Sequence, residues 1–134
     1  DTIRSGQRVA RGAESFEMAI HAWEVTGSYV LTGEPASDRG IRPRQNFDPA
    51  AGHWGAVQVT ARYSALTVDG EVFGHGLSAA GASRRARSWA AGVNWYPNPW
   101  VKWYATVERT TFDPGVPPVR ADEKILFLRA QVAF

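Results

Sequence analysis

Residues 89–112 read WAAGVNWYPNPWVKWYATVERTTF, and this stretch decides the fold. Apolar side chains recur at every second position on both sides of its prolines, over residues 89–95 and again over residues 101–107. A repeat of two is the period of a β-strand, because successive side chains point to opposite faces of a sheet. Proline and asparagine favour tight turns, so Pro97-Asn98-Pro99 joins the two strands. The stretch therefore predicts an antiparallel hairpin.

The same alternation continues on both sides of this hairpin. In the closing segment, residues 123–134, every even-numbered position from 126 to 132 is apolar. Residues 55–67 and residues 23–32 also alternate between apolar and polar side chains. These segments predict three more strands, each with one uniformly apolar face.

The N-terminal part of the chain follows the pattern less well. Phe16, Met18 and Ile20 are apolar in the opposite register, which predicts a bulge near His21-Ala22 or a change of face there. Residues 1–12 are expected to be a frayed strand end or a loop. We therefore predict an all-β chain, an antiparallel meander of five strands and part of a sixth.

The connections between the predicted strands are unequal in length. Residues 33–53 and residues 69–86 form long segments rich in Gly, while residues 113–121 form a shorter one with three prolines. No linker separates a second domain, so residues 1–134 are expected to belong to one domain. Six strands are too few for a membrane barrel, since the smallest have about eight. We expect this chain to be part of a barrel, completed by residues upstream or by other chains.

The composition limits what kind of protein this is. The chain has no Cys, which excludes disulfides and thiolate metal sites. His21, His53 and His75 lack the spacing of metal ligands, and no nucleophile motif accompanies them. We expect no cofactor, no metal, no nucleic-acid partner and no enzyme activity. The net charge is +2, and the cations are 13 Arg and two Lys, which suits contact with anions.

One apolar face is compatible with a soluble sandwich, a soluble ligand-binding barrel or a membrane barrel. Ions lie in mid-strand on the mixed face, as on the inner wall of a water-filled membrane barrel. The apolar face contains several small residues, Gly and Ala. A closed protein core needs larger side chains to pack densely, whereas a surface that faces lipid does not. Aromatic residues lie near strand ends, where membrane barrels place their interfacial girdles. The expected lipid-interface aromatics are Trp23, Trp89, Trp95, Trp103 and Phe134.

Four stretches of the chain resemble the phosphate-selective porin family, the porin O and porin P type. They are SYVLTGE at residues 28–34, residues 54–64, GVNWYPNP at residues 92–99, and LRAQVAF at residues 128–134. The resemblance covers residues 16–134 in the family's order. It implies the C-terminal part of a trimeric barrel of about 16 strands in the bacterial outer membrane, which passes phosphate, polyphosphate or other small anions by diffusion.

The resemblance also assigns the two ends of the sheet. The C-terminus of such barrels is periplasmic, so residues 97–99 and residues 33–53 would lie on that side. Residues 69–86 and 113–121 would be extracellular, and Arg84, Arg85 and Arg87 would lie at an extracellular strand entrance, where they attract anions or pair with lipopolysaccharide phosphates. The long periplasmic segment either folds into the lumen or remains a solvated loop.

Cations on a pore wall lower the barrier to anions, and arginine offers paired donors to phosphate oxygens. Alternation places Glu24 and Glu108 on the same face as these cations, where they would offset the positive field. The candidate anion-lining residues are Arg62, Lys102, Arg129, Arg39, Arg42 and Arg44.

The expected partners are membrane lipid and lipopolysaccharide, two further copies in a homotrimer, and the outer-membrane assembly machinery. That machinery would bind through the strand ending in Phe134. Two alternatives stay open at this point: a soluble β-barrel or sandwich that binds a small ligand, and a structural outer-membrane barrel without selectivity.

Overall fold

The computed structural model describes residues 2–11, 14–37, 40–68, 82–113 and 120–133, and they form one open antiparallel sheet. Its strands follow one another in chain order from β1 to β6, so the sheet is a meander. In the part of the chain that the structure describes, no helix is long and apolar enough to cross a membrane. The strands are β1 Thr2–Arg11, β2 Glu14–Val30, β3 Ala56–Val68, β4 Arg85–Asn98, β5 Val101–Phe112 and β6 Glu123–Val132.

The all-β meander predicted from the alternation is confirmed, but the expectation for residues 1–12 was wrong. Residues 2–11 form a complete strand, β1, which pairs antiparallel with β2 from Thr2↔Trp23 to Arg11↔Glu14. This pairing runs without interruption through Ile3↔Ala22 and Arg4↔His21, which excludes a bulge against β1 near His21-Ala22. Backbone hydrogen bonds to a long neighbour are enough to hold a strand that lacks clear alternation.

The hairpin between β4 and β5 is also confirmed, with its turn starting later than the prolines suggested. β4 continues through Pro97 to Asn98, and the turn is Pro99-Trp100. The Asn98 side-chain oxygen accepts hydrogen bonds from the N–H groups of Trp100 at 2.9 Å and Val101 at 3.0 Å. Asparagine stabilises tight turns through such bonds to the backbone two residues on.

Contacts divide the chain into two compact units. The first unit comprises Asp1–Val25, Tyr63–Trp89 and Arg109–Lys124, and the second comprises Thr26–Arg62, Ala90–Glu108 and Ile125–Phe134. In the second unit a small core forms where the chain turns back over the strand ends. Its buried side chains are Val30, Ile41, Ala56 and Tyr96.

Alternation gives each strand two faces, and contacts within the second unit identify the polar one. Gln58 Oε1 accepts hydrogen bonds from Asn94 Nδ2 at 2.9 Å and from the Tyr96 hydroxyl at 3.1 Å. The Tyr104 hydroxyl donates to Gln131 Oε1 at 3.1 Å. We call the side of the sheet that carries these residues the polar face: even-numbered positions of β3, β4 and β5, and odd-numbered positions of β6.

The opposite side, which we call the apolar face, is well exposed. In the second unit Trp103, Val93, Val107 and Leu128 are exposed on it, and in the first unit Trp23, Tyr63 and Trp89 are exposed. Exposed apolar side chains in such number are typical of a surface that contacts lipid or another apolar partner. The sheet thus has one polar and one apolar exposed face.

Candidate functional site

The site lies on the polar face of the second unit, and the chain segment after β2 helps to build it. Thr32 starts the anchoring of this segment: its hydroxyl donates to the Glu34 carboxylate and accepts a 3.1 Å hydrogen bond from the Val57 N–H. Ten residues on, the Arg44 N–H donates to Glu34 Oε1 at 3.3 Å, and the Arg44 guanidinium donates to the Gly33 carbonyl at 2.7 Å. Thr32, Gly33 and Arg44 are therefore held together around Glu34.

Glu34 is only 7% exposed, and its carboxylate is held charged by its neighbours. Burial is the largest single influence and raises the pKa, because it penalises the charged form. The hydrogen bond from Thr32, those from the backbone of Glu34 and Arg44, and the positive charge of Arg44 together outweigh it. The net pKa of Glu34 therefore lies below its ordinary value, as expected for a carboxylate with several donors.

The anchored segment brings residues 40–42 onto the polar face. Ile41 is 4% exposed and packs with Val30, Ala56 and Tyr96. This packing fixes the backbone of residues 40–42 beside the start of β5. A cavity of about 440 Å³ opens there, and the described residues that line it include no Asp or Glu. They are Gly40, Ile41, Arg42, Tyr96, Pro99, Trp100, Val101, Lys102, Tyr104, Gln131 and Ala133.

Lys102 is the best-positioned cation of this cavity. Its Nζ lies 4.1 Å from the centroid of the Tyr104 ring and 4.8 Å from that of Tyr96. The Arg129 guanidinium carbon lies 5.9 Å from the same Tyr104 ring. A cation over an aromatic face is stabilised by the ring's electrons without losing its charge. Two positive groups therefore lie next to the Tyr104 ring, and both remain able to attract an anion.

Arg62 has a different environment from Lys102. Its Nη2 lies 2.9 Å from Glu108 Oε2, so a carboxylate balances its charge. Arg62 belongs to β3 and Glu108 to β5, and β4 runs between them. Ala90 of β4 lies beside Arg62, and its short side chain leaves the necessary room. A Cβ on Gly92 would instead meet the next pair of side chains, at 2.7 Å from Thr106 Oγ1 and 3.0 Å from Thr60 Oγ1.

The structure separates the six candidate anion-lining residues, five arginines and one lysine, into groups. Arg62, Lys102 and Arg129 lie on the polar face, and Arg42 lines the same cavity as Lys102. Arg44 instead binds the backbone of Gly33 and anchors the loop. Arg39 lies outside the described residues. Their role toward an anion stays a prediction.

Sequence reasoning missed several residues of the site. Tyr96, Tyr104 and Gln131 were each assigned to a face by alternation, but nothing in the pattern showed that their side chains surround Lys102 and Arg129. Glu34 stands in the SYVLTGE stretch without an obvious partner, because Arg44 is ten residues away.

The expected interfacial aromatics are also divided. Trp23, Trp89 and Trp103 lie on the apolar face and are 45%, 46% and 50% exposed. Trp95 is half-buried: its Nε1 donates to the Trp54 carbonyl at 2.7 Å, and its ring meets that of Phe47 edge-on at 5.2 Å. Phe134 lies outside the described residues. Contact of these rings with lipid stays a prediction.

No group of three or more His, Cys, Asp or Glu residues that could hold a metal ion occurs within the described ranges. A meander sheet with cations on its polar face and an exposed apolar face is typical of the wall of a membrane β-barrel channel. The fold and the site together therefore indicate a membrane β-barrel channel.

The comparison with protein families gives the same answer. The model of the family "Phosphate-selective porin O and P" matches residues 5–134, and the chain belongs to this family. No curated protein and no solved structure matches the chain. Membership makes the chain part of a β-barrel porin of the phosphate-selective type, which is a channel protein and not a member of an enzyme family.

Proposed function

We propose that the chain forms part of the wall of a trimeric bacterial outer-membrane porin that passes small anions, such as phosphate or polyphosphate, by diffusion. One observation carries this proposal. Lys102, Arg42 and Arg129 gather at one end of the polar face, and Lys102 and Arg42 line a cavity whose described lining contains no carboxylate. The polar face would be the lumen wall, and no catalytic step is involved.

The environment of Lys102 suits passage better than tight binding. An anion that enters a pore loses part of its hydration, and fixed positive groups compensate for that loss. Binding must remain weak enough for the anion to leave. The rings of Tyr96 and Tyr104 stabilise the Lys102 ammonium from 4.8 and 4.1 Å, so the ammonium gains less from binding an anion tightly.

Arg62 contributes less to the positive field than its charge alone suggests. Its partner Glu108 lies 2.9 Å away, so the pair is close to neutral when seen from a distance. The net attraction for anions on this part of the wall therefore rests on Lys102, Arg42 and Arg129. Arg44 supports the site by holding the loop, through Gly33 and Glu34.

Ion selectivity in planar bilayers tests the proposal. Under a gradient of potassium phosphate, the reversal potential of the full-length protein should favour the anion. The double variant K102Q/R129Q should shift it toward the cation, and K102R should preserve it because the charge remains. The matched control is K124Q, which removes a lysine at an even-numbered position of β6, on the side opposite Arg129.

Two results would overturn the proposal. Cation selectivity of the native protein would exclude an anion channel, and an unchanged reversal potential in K102Q/R129Q would exclude these two residues as its cause. A large pore without selectivity would instead indicate a structural outer-membrane barrel. Contact of β6 and the following Phe134 with the outer-membrane assembly machinery is part of the same proposal, and loss of assembly in F134A would support it.

A further inference from the structure

A cluster of arginines lies at the ends of β3, β4 and β5 in the first unit. Arg85 Nη1 and Arg87 Nη2 both face Asp113 Oδ2, at 3.5 and 3.8 Å. The two arginine side chains are 45% and 46% exposed, so both keep donors available to a ligand. One carboxylate therefore orients two guanidinium groups and balances only one of their charges.

The backbone under this cluster is well fixed. The Val68 N–H donates to the Arg84 carbonyl at 2.9 Å, and the Asp113 N–H donates to the Arg85 carbonyl at 2.9 Å. The Thr111 hydroxyl also donates to the Arg87 carbonyl at 3.4 Å. These hydrogen bonds join the ends of three strands and fix the backbone that carries the arginines. The arginine side chains therefore lose less conformational freedom when a ligand binds.

A cavity of about 230 Å³ opens beside the cluster, and we call it the arginine cleft. The described residues that line it are Thr67, Arg84, Arg85 and Asp113. With Arg87 next to it, the cleft presents three arginines against one aspartate. A hydroxyl and several guanidinium donors around a small cavity are chemistry suited to a phosphate group, which arginine can bind through two parallel hydrogen bonds.

The face on which the cleft lies indicates where that phosphate comes from. Arg85, Arg87 and Trp89 are alternate residues of β4, so they point to the same face, and Trp89 is 46% exposed on the apolar face. Trp23 and Tyr63 lie on that face as well, with ring centroids 5.4 Å apart. Indole and phenol rings favour the headgroup level of a membrane. Arg87 and Arg85, two and four residues before Trp89 on the same strand face, would then lie at the level of the lipid phosphates.

We propose that the arginine cleft binds a phosphate group of an anionic membrane lipid of the lipopolysaccharide type, on the outside of the barrel. The apolar face below the cleft offers a surface along which the acyl chains of that lipid can lie. A free phosphate ion would gain nothing from this apolar surface. The cleft is therefore a lipid site and not a site for solute anions.

Binding of a purified lipid to the full-length protein tests this inference. The delipidated protein in a neutral detergent is titrated with bisphosphorylated lipid A, and bound lipid is counted by native mass spectrometry. Each exposed basic residue near a membrane surface contributes roughly a fivefold gain in affinity, so R87Q should weaken binding about fivefold and R85Q/R87Q about 30-fold. The matched control is R120Q, an arginine of the same unit that pairs with Glu123 at 2.6 Å and stacks on Phe112.

The pattern of binding across these variants separates a lipid site from general charge attraction and from a solute site. Loss of lipid A in R85Q/R87Q, partial recovery in R85K/R87K and unchanged binding in R120Q would support the lipid site. Equal binding by wild-type protein and R85Q/R87Q would overturn it, as would an equal loss in R120Q. Displacement of lipid A by millimolar inorganic phosphate would also overturn it, because the cleft would then be a site for solute anions. If R85Q/R87Q fails to fold, R87Q and R87K against R120Q make the same comparison.

Discussion

Arg62 and Glu108 form an ion pair that passes over an intervening strand. Arg62 Nη2 lies 2.9 Å from Glu108 Oε2, although β4 separates their strands in the sheet. The pair is possible because Ala90 of β4 lies beside Arg62, and its short side chain does not block the contact. A small residue on β4 thus allows charged side chains of β3 and β5 to form an ion pair across it.

This pair predicts an increase of anion selectivity on removal of the acid. E108Q removes one negative charge from the polar face, so this face gains one net positive charge. The reversal potential of the full-length protein under a salt gradient should shift further toward the anion. R62Q should shift it the opposite way, because Glu108 loses its nearest positive partner. R62Q/E108Q should return close to the native value.

The control for E108Q is D122N, which removes one negative charge outside the polar face. Asp122 pairs with Arg109 at 2.8 Å in the first unit. Its loss should leave the reversal potential unchanged. A shift in D122N equal to that in E108Q would mean that the measurement responds to overall charge and not to the pair.

Gly55 predicts a large loss of stability on substitution by alanine. Its φ is +72°, and a Cβ there would lie 2.3 Å from the Tyr96 carbonyl oxygen. The left-handed conformation costs a residue with a Cβ about 1–2 kcal/mol. Overpacking against a fixed backbone atom adds about 1–3 kcal/mol. G55A should therefore lower the free energy of unfolding by roughly the sum of these two costs, measured by urea titration in detergent micelles.

Gly52 provides the matched control for G55A. Its φ is +74°, almost the same as that of Gly55, but a Cβ there meets nothing within 4 Å. G52A should therefore show only the conformational cost of about 1–2 kcal/mol. Equal losses in the two variants would show that the close approach of Tyr96 to Gly55 contributes nothing.

Sequence alone predicted the strands well wherever one face is consistently apolar. β3, β4, β5 and β6 were predicted because the two faces of each strand have different surroundings, so apolar and polar side chains alternate along its sequence. β1 was predicted only as a frayed strand end or a loop because its residues lack that contrast, while its hydrogen bonds depend on the neighbouring strand. Backbone pairing leaves no mark on the side-chain pattern.

The site could be predicted only in part, for a related reason. Alternation placed Arg62, Lys102 and Glu108 on one face, but it does not contain the register between strands. The contact of Arg62 with Glu108 depends on how β3, β4 and β5 align, and on a small residue that carries no charge. The anchor of Glu34 depends on a loop that returns Arg44 to it, which no local pattern specifies.

Glu34 predicts that the loop over the cavity loosens in acid. Its folded-state pKa lies below the ordinary value of 4.5, so its contribution to stability is present above pH 4.5 and is lost as the pH falls through the lowered pKa. Limited proteolysis of residues 32–54, by a protease that is active in both acid and neutral solution, should therefore speed up below pH 4.5 relative to its rate on an unfolded peptide. E34Q should speed up cleavage already at neutral pH and remove most of this pH dependence.

The comparison for E34Q is E123Q, which changes an exposed glutamate that pairs with Arg120. Cleavage of residues 32–54 should be as slow in E123Q as in the native protein at neutral pH. If E34Q were also cleaved at the native rate, with the native response to acid, Glu34 would not be what holds the loop.

The tryptophans predict a fluorescence test of which face meets lipid. Trp103 lies on the apolar face and is 50% exposed, while Trp100 is 60% exposed and lines the cavity with Lys102. In variants that keep a single tryptophan, Trp103 and Trp89 should be quenched by brominated lipid and shielded from iodide. Trp100 should respond in the opposite way, and more strongly to iodide, because the anion is attracted to Lys102 and Arg42. Quenching of Trp100 by brominated lipid, with Trp103 open to iodide, would reverse the two faces and remove the basis for placing the cations in a lumen.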